Sequence, residues 1–176
     1  GLLEMFDSSI GATTVAMPLG GKYQQTLMEG SVQTLPIIGA KDIETVSLAS
    51  WGFDAEISKQ NSLLGASYAV VESVAKIVAM GGDYKNIRFS FQEYFEKLGQ
   101  NHAKWGKPLA SILGAYDAQI NLGLAAIGGK DSMSGTYEDL NVPPTLISFA
   151  CANGEKKNII SPEFKNVGNK VYFFNH

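Results

Sequence analysis

Between Ser62 and Met80 the chain carries Leu63, Leu64, Ala66, Tyr68, Val70, Val71, Val74, Ile77 and Val78 at helical spacing. They fall on more than one stripe, so a helix here must be covered on more than one side. The remaining elements have to be arranged around it. Gly81-Gly82 follows at once and ends it, because glycine readily takes the left-handed geometry of a helix C-terminus. With 176 residues the chain is long enough for one ordinary domain and part of a second.

Two further helices are predicted. Ser90-Phe91-Gln92-Glu93 has the spacing of a capping box and starts a helix running towards Gly99. Another begins near Pro108, a good first-turn residue, and sets Leu109, Ile112, Leu113, Tyr116 and Ile120 on one face before Gly123. Short strands rich in β-branched residues are predicted near Thr13–Met17, Ser31–Pro36, Thr45–Ala49, Ile87–Phe89, Leu124–Ile127 and Thr145–Ala152. Strands that arrive in pairs between long helices predict an α+β fold: a mixed, mostly antiparallel sheet covered by helices on one face. A doubly wound parallel sheet fits less well. Polar residues from Asn153 to Asn158 set a boundary, dividing the chain into 1–152 and a linker with the start of a second subdomain over 153–176. The chain lacks an initiator Met, and Lys170 to His176 reads as a strand with nothing after it. The expectation is an excised piece of a longer protein.

Composition removes several functions. Fourteen basic against seventeen acidic residues give a net charge of −3, which argues against a general nucleic-acid binder. No apolar run in the sequence approaches the ~20 residues of a membrane span. Neither does Gly1-Leu2-Leu3-Glu4 resemble a secretory signal, so a cytoplasmic protein is expected. Cys151 stands alone, excluding a disulfide framework and a cysteine zinc site. His102 and His176 are the two histidines, too few for a histidine-rich metal centre. A Ser-His-Asp triad would need His102, whose polar surroundings favour an exposed or capping role. A Gly-x-Gly-x-x-Gly turn after a strand is missing. Asp54 and Glu56 could flank a cation, although two such carboxylates are more often simply solvated.

Two stretches retain chemistry. From Ile127 a short apolar strand runs into Gly128-Gly129-Lys130-Asp131-Ser132-Met133-Ser134-Gly135. Glycines let backbone N–H groups approach an anion, and Lys130 adds a point charge suited to phosphate. The spacing is not that of a Walker A loop, and a plain glycine turn with a capped exit is an equal reading of the residues. Glu72 is the one acid within the apolar helix, with Lys76 one turn later. It could hold Mg²⁺ or form an i,i+4 pair with Lys76 worth ~0.3–0.5 kcal/mol, and the pair is favoured. Asp7 before Ser8-Ser9 is turn chemistry as well as a possible ligand.

Several strings occur together in a recognisable order: Met5-Phe6-Asp7-Ser8-Ser9-Ile10-Gly11-Ala12, Pro18-Leu19-Gly20-Gly21-Lys22-Tyr23-Gln24, Ser50-Trp51-Gly52-Phe53-Asp54, and Tyr68 through Lys76. Gly81-Gly82-Asp83-Tyr84, Phe91-Gln92-Glu93-Tyr94-Phe95, Gly128 through Gly135 and Val142-Pro143-Pro144-Thr145-Leu146 complete the series. Together they resemble the phosphoribosylformylglycinamidine synthases, glutamine-dependent ligases of purine biosynthesis. The match is to the N-terminal subdomain of the second aminoimidazole-ribonucleotide-synthetase-like half.

The resemblance implies an ATP-dependent parent enzyme that converts formylglycinamide ribonucleotide to formylglycinamidine ribonucleotide, using ammonia released by a separate glutaminase domain. It implies ATP or ADP with Mg²⁺ as cofactors. Gly128, Gly129, Lys130, Asp131 and Ser132 would lie on the phosphates, and Glu72 on the metal. It assigns no catalytic residue to this piece, because the family's Glu-Thr-His-Asn-His-Pro motif is missing. Lys76 stands where the family commonly has Asn, so its ammonium could replace the charge of a lost metal ion. The implied role is a scaffolding or auxiliary nucleotide-holding subdomain, with the other domains of its parent chain as partners and a possible homodimer through the sheet. Alternatives are a purely architectural sheet-pairing module, or a piece of another aminoimidazole-ribonucleotide-synthetase-like, ATP-dependent enzyme.

Overall fold

The computed structural model describes residues 13–174. Asp7, the string around it and His176 lie outside them. Ten strands and three α-helices follow in order: β1 (Thr14–Ala16), β2 (Leu19–Gly20), β3 (Thr26–Leu27), β4 (Gly30–Thr34), β5 (Thr45–Gly52), α1 (Ala55–Gln60), α2 (Ser62–Ala79), β6 (Arg88–Tyr94), α3 (His102–Leu122), β7 (Ala125–Lys130), β8 (Thr136–Tyr137), β9 (Leu140–Asn141) and β10 (Thr145–Glu155).

Six strands form the main sheet in the order β1-β4-β5-β10-β6-β7. All neighbours are antiparallel except β6 and β7, which are parallel and joined through α3. This is the expected mixed sheet. The eleven-residue β10 is its spine, pairing with β5 on one side and β6 on the other. Strand alternation directs Val46, Leu48 and Ser50 of β5, and Leu146, Ser148 and Ala150 of β10, into the buried layer. Both α2 and α3 belong to that layer. The opposite face is open and carries Trp51, Phe149 and Cys151, all exposed.

Small residues set how closely α2 approaches. A Cβ at Gly52 would lie 2.1 Å from the Ala69 carbonyl oxygen, so only glycine fits there. Three buried hydroxyls tie the layers together. Ser50 Oγ donates to the Ser73 carbonyl at 2.6 Å, Ser73 Oγ donates to the Val70 carbonyl at 2.8 Å, and Ser73 and Ser148 share a 2.9 Å hydroxyl bond. A satisfied bond of this kind contributes ~1 kcal/mol, whereas an orphaned buried hydroxyl costs more. Contrary to the expectation that no apolar run approaches a membrane span, among the described residues α2 is the one helix long and apolar enough to cross a membrane. Here Gly65, Ala66, Ala69, Val70, Ser73, Val74 and Ile77 of α2 are buried within the domain.

Two expectations about helices are overturned. The helix expected from Ser90 is strand β6, hydrogen-bonded to β10 and β7 on its two sides. Phe89 and Phe91 stack at 5.8 Å on the buried face while Arg88 points outward, so a period of two overrides the capping-box spacing. The third helix starts six residues before Pro108, capped by Asn101 Oδ1, which accepts from Ala103 N at 2.9 Å. Its face is inverted as well. It buries Pro108, Ser111, Gly114, Ala115 and Ala118, while Leu109, Ile112, Leu113, Tyr116 and Ile120 stay exposed. The cause is contact with α2: a Cβ at Gly114 would lie 2.0 Å from the Leu63 carbonyl oxygen, and Ser67 Oγ donates to the Gly114 carbonyl at 3.0 Å.

β10 continues to Glu155, past the 152/153 division, and the chain then turns back over the end of α2. Gly81 (φ +95°) leaves room for the Asn158 carbonyl, which an added Cβ would meet at 2.0 Å, and Ile160 N donates to the Met80 carbonyl at 3.0 Å. The strand expected from Lys170 is not formed over residues 170–174, where Phe173 and Phe174 are exposed.

The loop from β6 to α3 is fastened by Glu96, a buried carboxylate paired with Lys104 at 2.6 Å and with Lys107. Hydrogen bonds from the two ammonium groups hold its carboxyl below the usual 4.5. Its stabilising contribution is therefore present above the unfolded carboxylate value and is lost as pH falls through the lower folded value. Melting temperatures recorded from neutral pH to below 4.5 should fall more steeply for the wild type than for Glu96→Gln, the two curves converging in acid. Parallel curves would show that these pairs do not contribute.

Candidate functional site

Two cavities gather the polar residues. The first, about 550 Å³, lies between α3 and the C-terminal halves of β6 and β7. Gly128, Gly129, Lys130 and Asp131 line one wall. They are not a free loop: β7 runs through Lys130, with Gly129 beside Phe91 and Lys130 beside Gln92. A Cβ at Gly129 would lie 2.5 Å from the Phe91 carbonyl oxygen, so close strand packing requires this glycine. Gly128 (φ +153°) sits where β7 bulges relative to β6 and has open space where a side chain would stand. Gln92 Nε2 donates to the Lys130 carbonyl at 3.0 Å. Ser132 is tied in further along, its N–H donating to the Glu93 carbonyl at 3.0 Å and its carbonyl accepting from Phe95 N at 2.8 Å. Its amide is thus committed to the fold, and the residues facing the cavity are 128–131.

The same cavity holds Glu93, which sequence reasoning cast as a helix-capping acid. It follows Phe89 and Phe91 on the buried face of β6, so it points inward beneath α3. Its Oε1 is buried and has no hydrogen-bond partner among the described residues. Burial, reinforced by the nearby charge of Asp131, pushes its carboxyl up to about 7. The signal that could have found it is the two-residue period Phe89-Phe91-Glu93, read as strand rather than helix.

The second cavity, about 770 Å³, spans the open sheet face where β4 begins and α2 passes. Lys76 dominates it. Its ammonium lies 2.7 Å from Glu72, 3.2 Å from Glu29 and 4.1 Å from the centre of the Trp51 ring, with the side chain only 12% exposed. Glu72 uses its second oxygen to accept from Phe53 N at 2.9 Å. The i,i+4 pair is therefore formed, and both Glu72 oxygens are engaged. Among the described residues no group of three His, Cys, Asp or Glu side chains could hold a metal ion. The residues around Glu72 do not fit Mg²⁺: a lysine stands where the cation would.

The other candidates resolve into local structure. Asp54 caps α1, its Oδ1 accepting from Glu56 N at 2.8 Å and Ile57 N at 3.0 Å, and Glu56 pairs with Lys59. His102 is the exposed first residue of α3.

No family model matches this chain, and no curated protein matches it either. Solved structures do. PurLQS from Thermotoga maritima superposes with a TM-score of 0.74 at 18% identity, over 92% of this chain and 24% of that one. T. maritima PurL complexed with ATP gives a TM-score of 0.69 at 18% identity, over 91% and 24%. AaThiL complexed with AMPPCP and TMP gives 0.51 at 10% identity, over 88% and 40%. This chain thus spans about a quarter of the length of the PurL chains. The likeness establishes the fold expected from the sequence, the aminoimidazole-ribonucleotide-synthetase-like α+β fold.

Proposed function

We propose that this chain is a nucleotide-holding subdomain of a phosphoribosylformylglycinamidine synthase, a carbon–nitrogen ligase of purine biosynthesis that takes ammonia from glutamine. The observation that carries the reading is the placement of Gly128, Gly129, Lys130 and Asp131 on one cavity wall, at the C-terminal end of a parallel strand pair. Ligands of open sheets are commonly bound at such strand ends. Support comes from T. maritima PurL, which has the same fold and was captured with ATP, AMPPCP, ADP and FGAR.

In this reading the exposed Lys130 ammonium neutralises phosphate, and the open position at Gly128 lets an anion approach the backbone. The piece supplies no catalytic residue of its own. The bond-forming chemistry belongs to the rest of a longer parent chain, including a glutaminase domain. Residues 1–152 form the N-terminal subdomain and 153–176 the linker and start of the next, in a cytoplasmic enzyme. The exposed Trp51 and Phe149 make the open sheet face the surface through which a second copy or a related half would pair.

Calorimetric titration of ADP, with and without Mg²⁺, tests the reading. ADP should bind, and Lys130→Ala should weaken it by about tenfold or more, the size of a lost charge-assisted phosphate contact. Mg²⁺ bound through Glu72 should add nothing. If ADP fails to bind, the architectural sheet-pairing reading replaces this one; if it binds Lys130→Ala equally well, the phosphate assignment to Lys130 falls.

A further inference from the structure

Glu93 plays no part in the phosphate reading, yet it is the most perturbed group of the α3–β7 cavity. Its Oε1 is buried without a partner among the described residues, an unfavourable situation in a protein interior unless a ligand or water supplies a donor. Among the described residues nothing donates to it. Gln119, on the same cavity, is already committed: its Nε2 donates to the Ala115 carbonyl at 3.1 Å and its Oε1 accepts from Ala126 N at 2.8 Å.

The groups facing Glu93 narrow what could fill the gap. Asp131 and Lys130 come from the end of β7, Tyr116 comes from α3, and β10 presents only the uncharged Leu146. Asp131 disfavours an anion against the Glu93 carboxyl, and Lys130 on the same wall disfavours a simple ammonium. A neutral group with a donor and an acceptor side by side satisfies both constraints. Phe91, Ile112, Tyr116 and Leu146 make the rest of the walls apolar, with two aromatic rings suited to a flat guest. A volume of about 550 Å³ is ample for a nucleoside.

We infer that the cavity between α3 and β7 holds a purine-type base, its –N=C–NH₂ edge paired with the Glu93 carboxyl and its ring lying against Tyr116. This rests on, and deepens, the nucleotide reading, because it assigns the base to Glu93 and leaves the phosphates to Lys130. A protonated carboxyl offers O–H and C=O on one planar edge. The O–H donates to the ring nitrogen, and the C=O accepts from the exocyclic amine. Burial and Asp131 hold a large share of Glu93 in that protonated form near neutrality. Ionisation turns the donor into a second acceptor and sets it against the ring nitrogen. Binding is therefore strong in mild acid and weak in base.

Adenosine, which has no phosphate, is the probe. Titrated calorimetrically into this chain, it should bind at about pH 6 and bind roughly 30-fold more weakly at about pH 8.5, following the protonated fraction of a group titrating near 7. Glu93→Gln should bind adenosine with no such pH dependence, since an amide keeps a donor and an acceptor at all pH. Glu93→Leu should abolish binding. Tyr116→Ala removes a ring that is 60% exposed, leaves the fold intact, and should weaken binding even if the Glu93→Leu chain fails to fold. Lack of adenosine binding at about pH 6 overturns the inference, as does binding indifferent to Tyr116→Ala or unchanged in Glu93→Leu. Lys130→Ala separates the two readings. Adenosine bound normally while ADP gains nothing from Lys130 defeats the phosphate assignment and leaves the base site standing. ADP bound through Lys130 while adenosine ignores Glu93 does the reverse.

Discussion

Gly114→Val should lower the melting temperature by roughly 10 °C, the consequence of losing about 3 kcal/mol or more in a domain of this size. The position is mid-helix, where glycine is normally a weakness worth ~1 kcal/mol against alanine. Here the usual sign reverses. An added Cβ would stand 2.0 Å from the Leu63 carbonyl oxygen, 2.8 Å from its carbon and 3.1 Å from its Cα, all backbone atoms of α2. No rotamer change relieves such a clash, so the helices must separate. Separation would break the Ser67–Gly114 bond and open the contact on which the α3–β7 cavity depends. Gly106 on the same helix is the control, because nothing lies within 4 Å of its added Cβ. Gly106→Ala should therefore stabilise by ~0.5–1 kcal/mol. Equal thermal melts for Gly114→Val and the wild type would refute this account of how α3 is seated.

The same contact explains why the sequence misled about which face of α3 is buried. On α2 the apolar and the small residues overlap in part: Ala66, Val70, Val74 and Ile77 are buried, but Leu63, Leu64, Tyr68, Val71 and Val78 are exposed, so the helix is covered on fewer sides than its stripes suggest. On α3 they separate. Leu109, Ile112, Leu113, Tyr116 and Ile120 form a plausible core stripe, but Ser111, Gly114, Ala115 and Ala118 permit backbone approach, and approach wins. Which of two faces turns inward depends on the shape of α2, and that is not written in α3. The strands were more legible, because the β-branched and alternating runs at Thr45, Leu124 and Thr145 carry their own period and β10 needs no context to be recognised. β6 failed for a different reason: Ser90-Phe91-Gln92-Glu93 satisfies a local capping rule, and only pairing with both β10 and β7 decides against it.

Site legibility follows the same division. Gly128 through Asp131 were visible because glycines beside a lysine and an aspartate are chemically conspicuous, although Gly129 turns out to serve strand packing against Phe91. Glu93 was hidden by the error in β6, since an acid facing the core is unusual only once the strand is known. Glu72 and Lys76 were read as a pair from their spacing, but Glu29, just before β4, and Trp51 of β5 reach that pair from positions distant in the chain. Tertiary convergence of this kind leaves no local trace.

Lys76→Ala should give the protein a divalent-cation site that the wild type lacks. Two carboxylates, Glu72 and Glu29, converge on a single ammonium, and the Trp51 face closes a third side. Removing that ammonium changes the charge of the cluster from −1 to −2 and vacates the point both acids address. Two carboxylates with water completing the shell are ordinary ligands for Mg²⁺ or Mn²⁺. The fold should survive, because the Glu72 and Glu29 side chains are 39% and 60% exposed. Lys76 itself is only 12% exposed, so losing its two pairs and its cation–π contact costs more than the about 0–1 kcal/mol of a surface pair, but both acids left behind reach water. Trp51 provides the readout. Paramagnetic Mn²⁺ held beside its ring should quench its fluorescence in Lys76→Ala, with Trp105 on α3 present in both chains as the internal reference, and Glu72→Gln added to Lys76→Ala should remove the quenching. Lys76→Arg should stay as unresponsive as the wild type, since it keeps a cation in the cage. Equal Mn²⁺ quenching of wild type and Lys76→Ala would mean that the lysine does not occupy a cation's place. The outcome bears on the nucleotide as well. If the ammonium alone keeps the site closed to metal, any ADP held by this chain is held without a divalent ion at Glu72, and its phosphates must find their positive charge at Lys130.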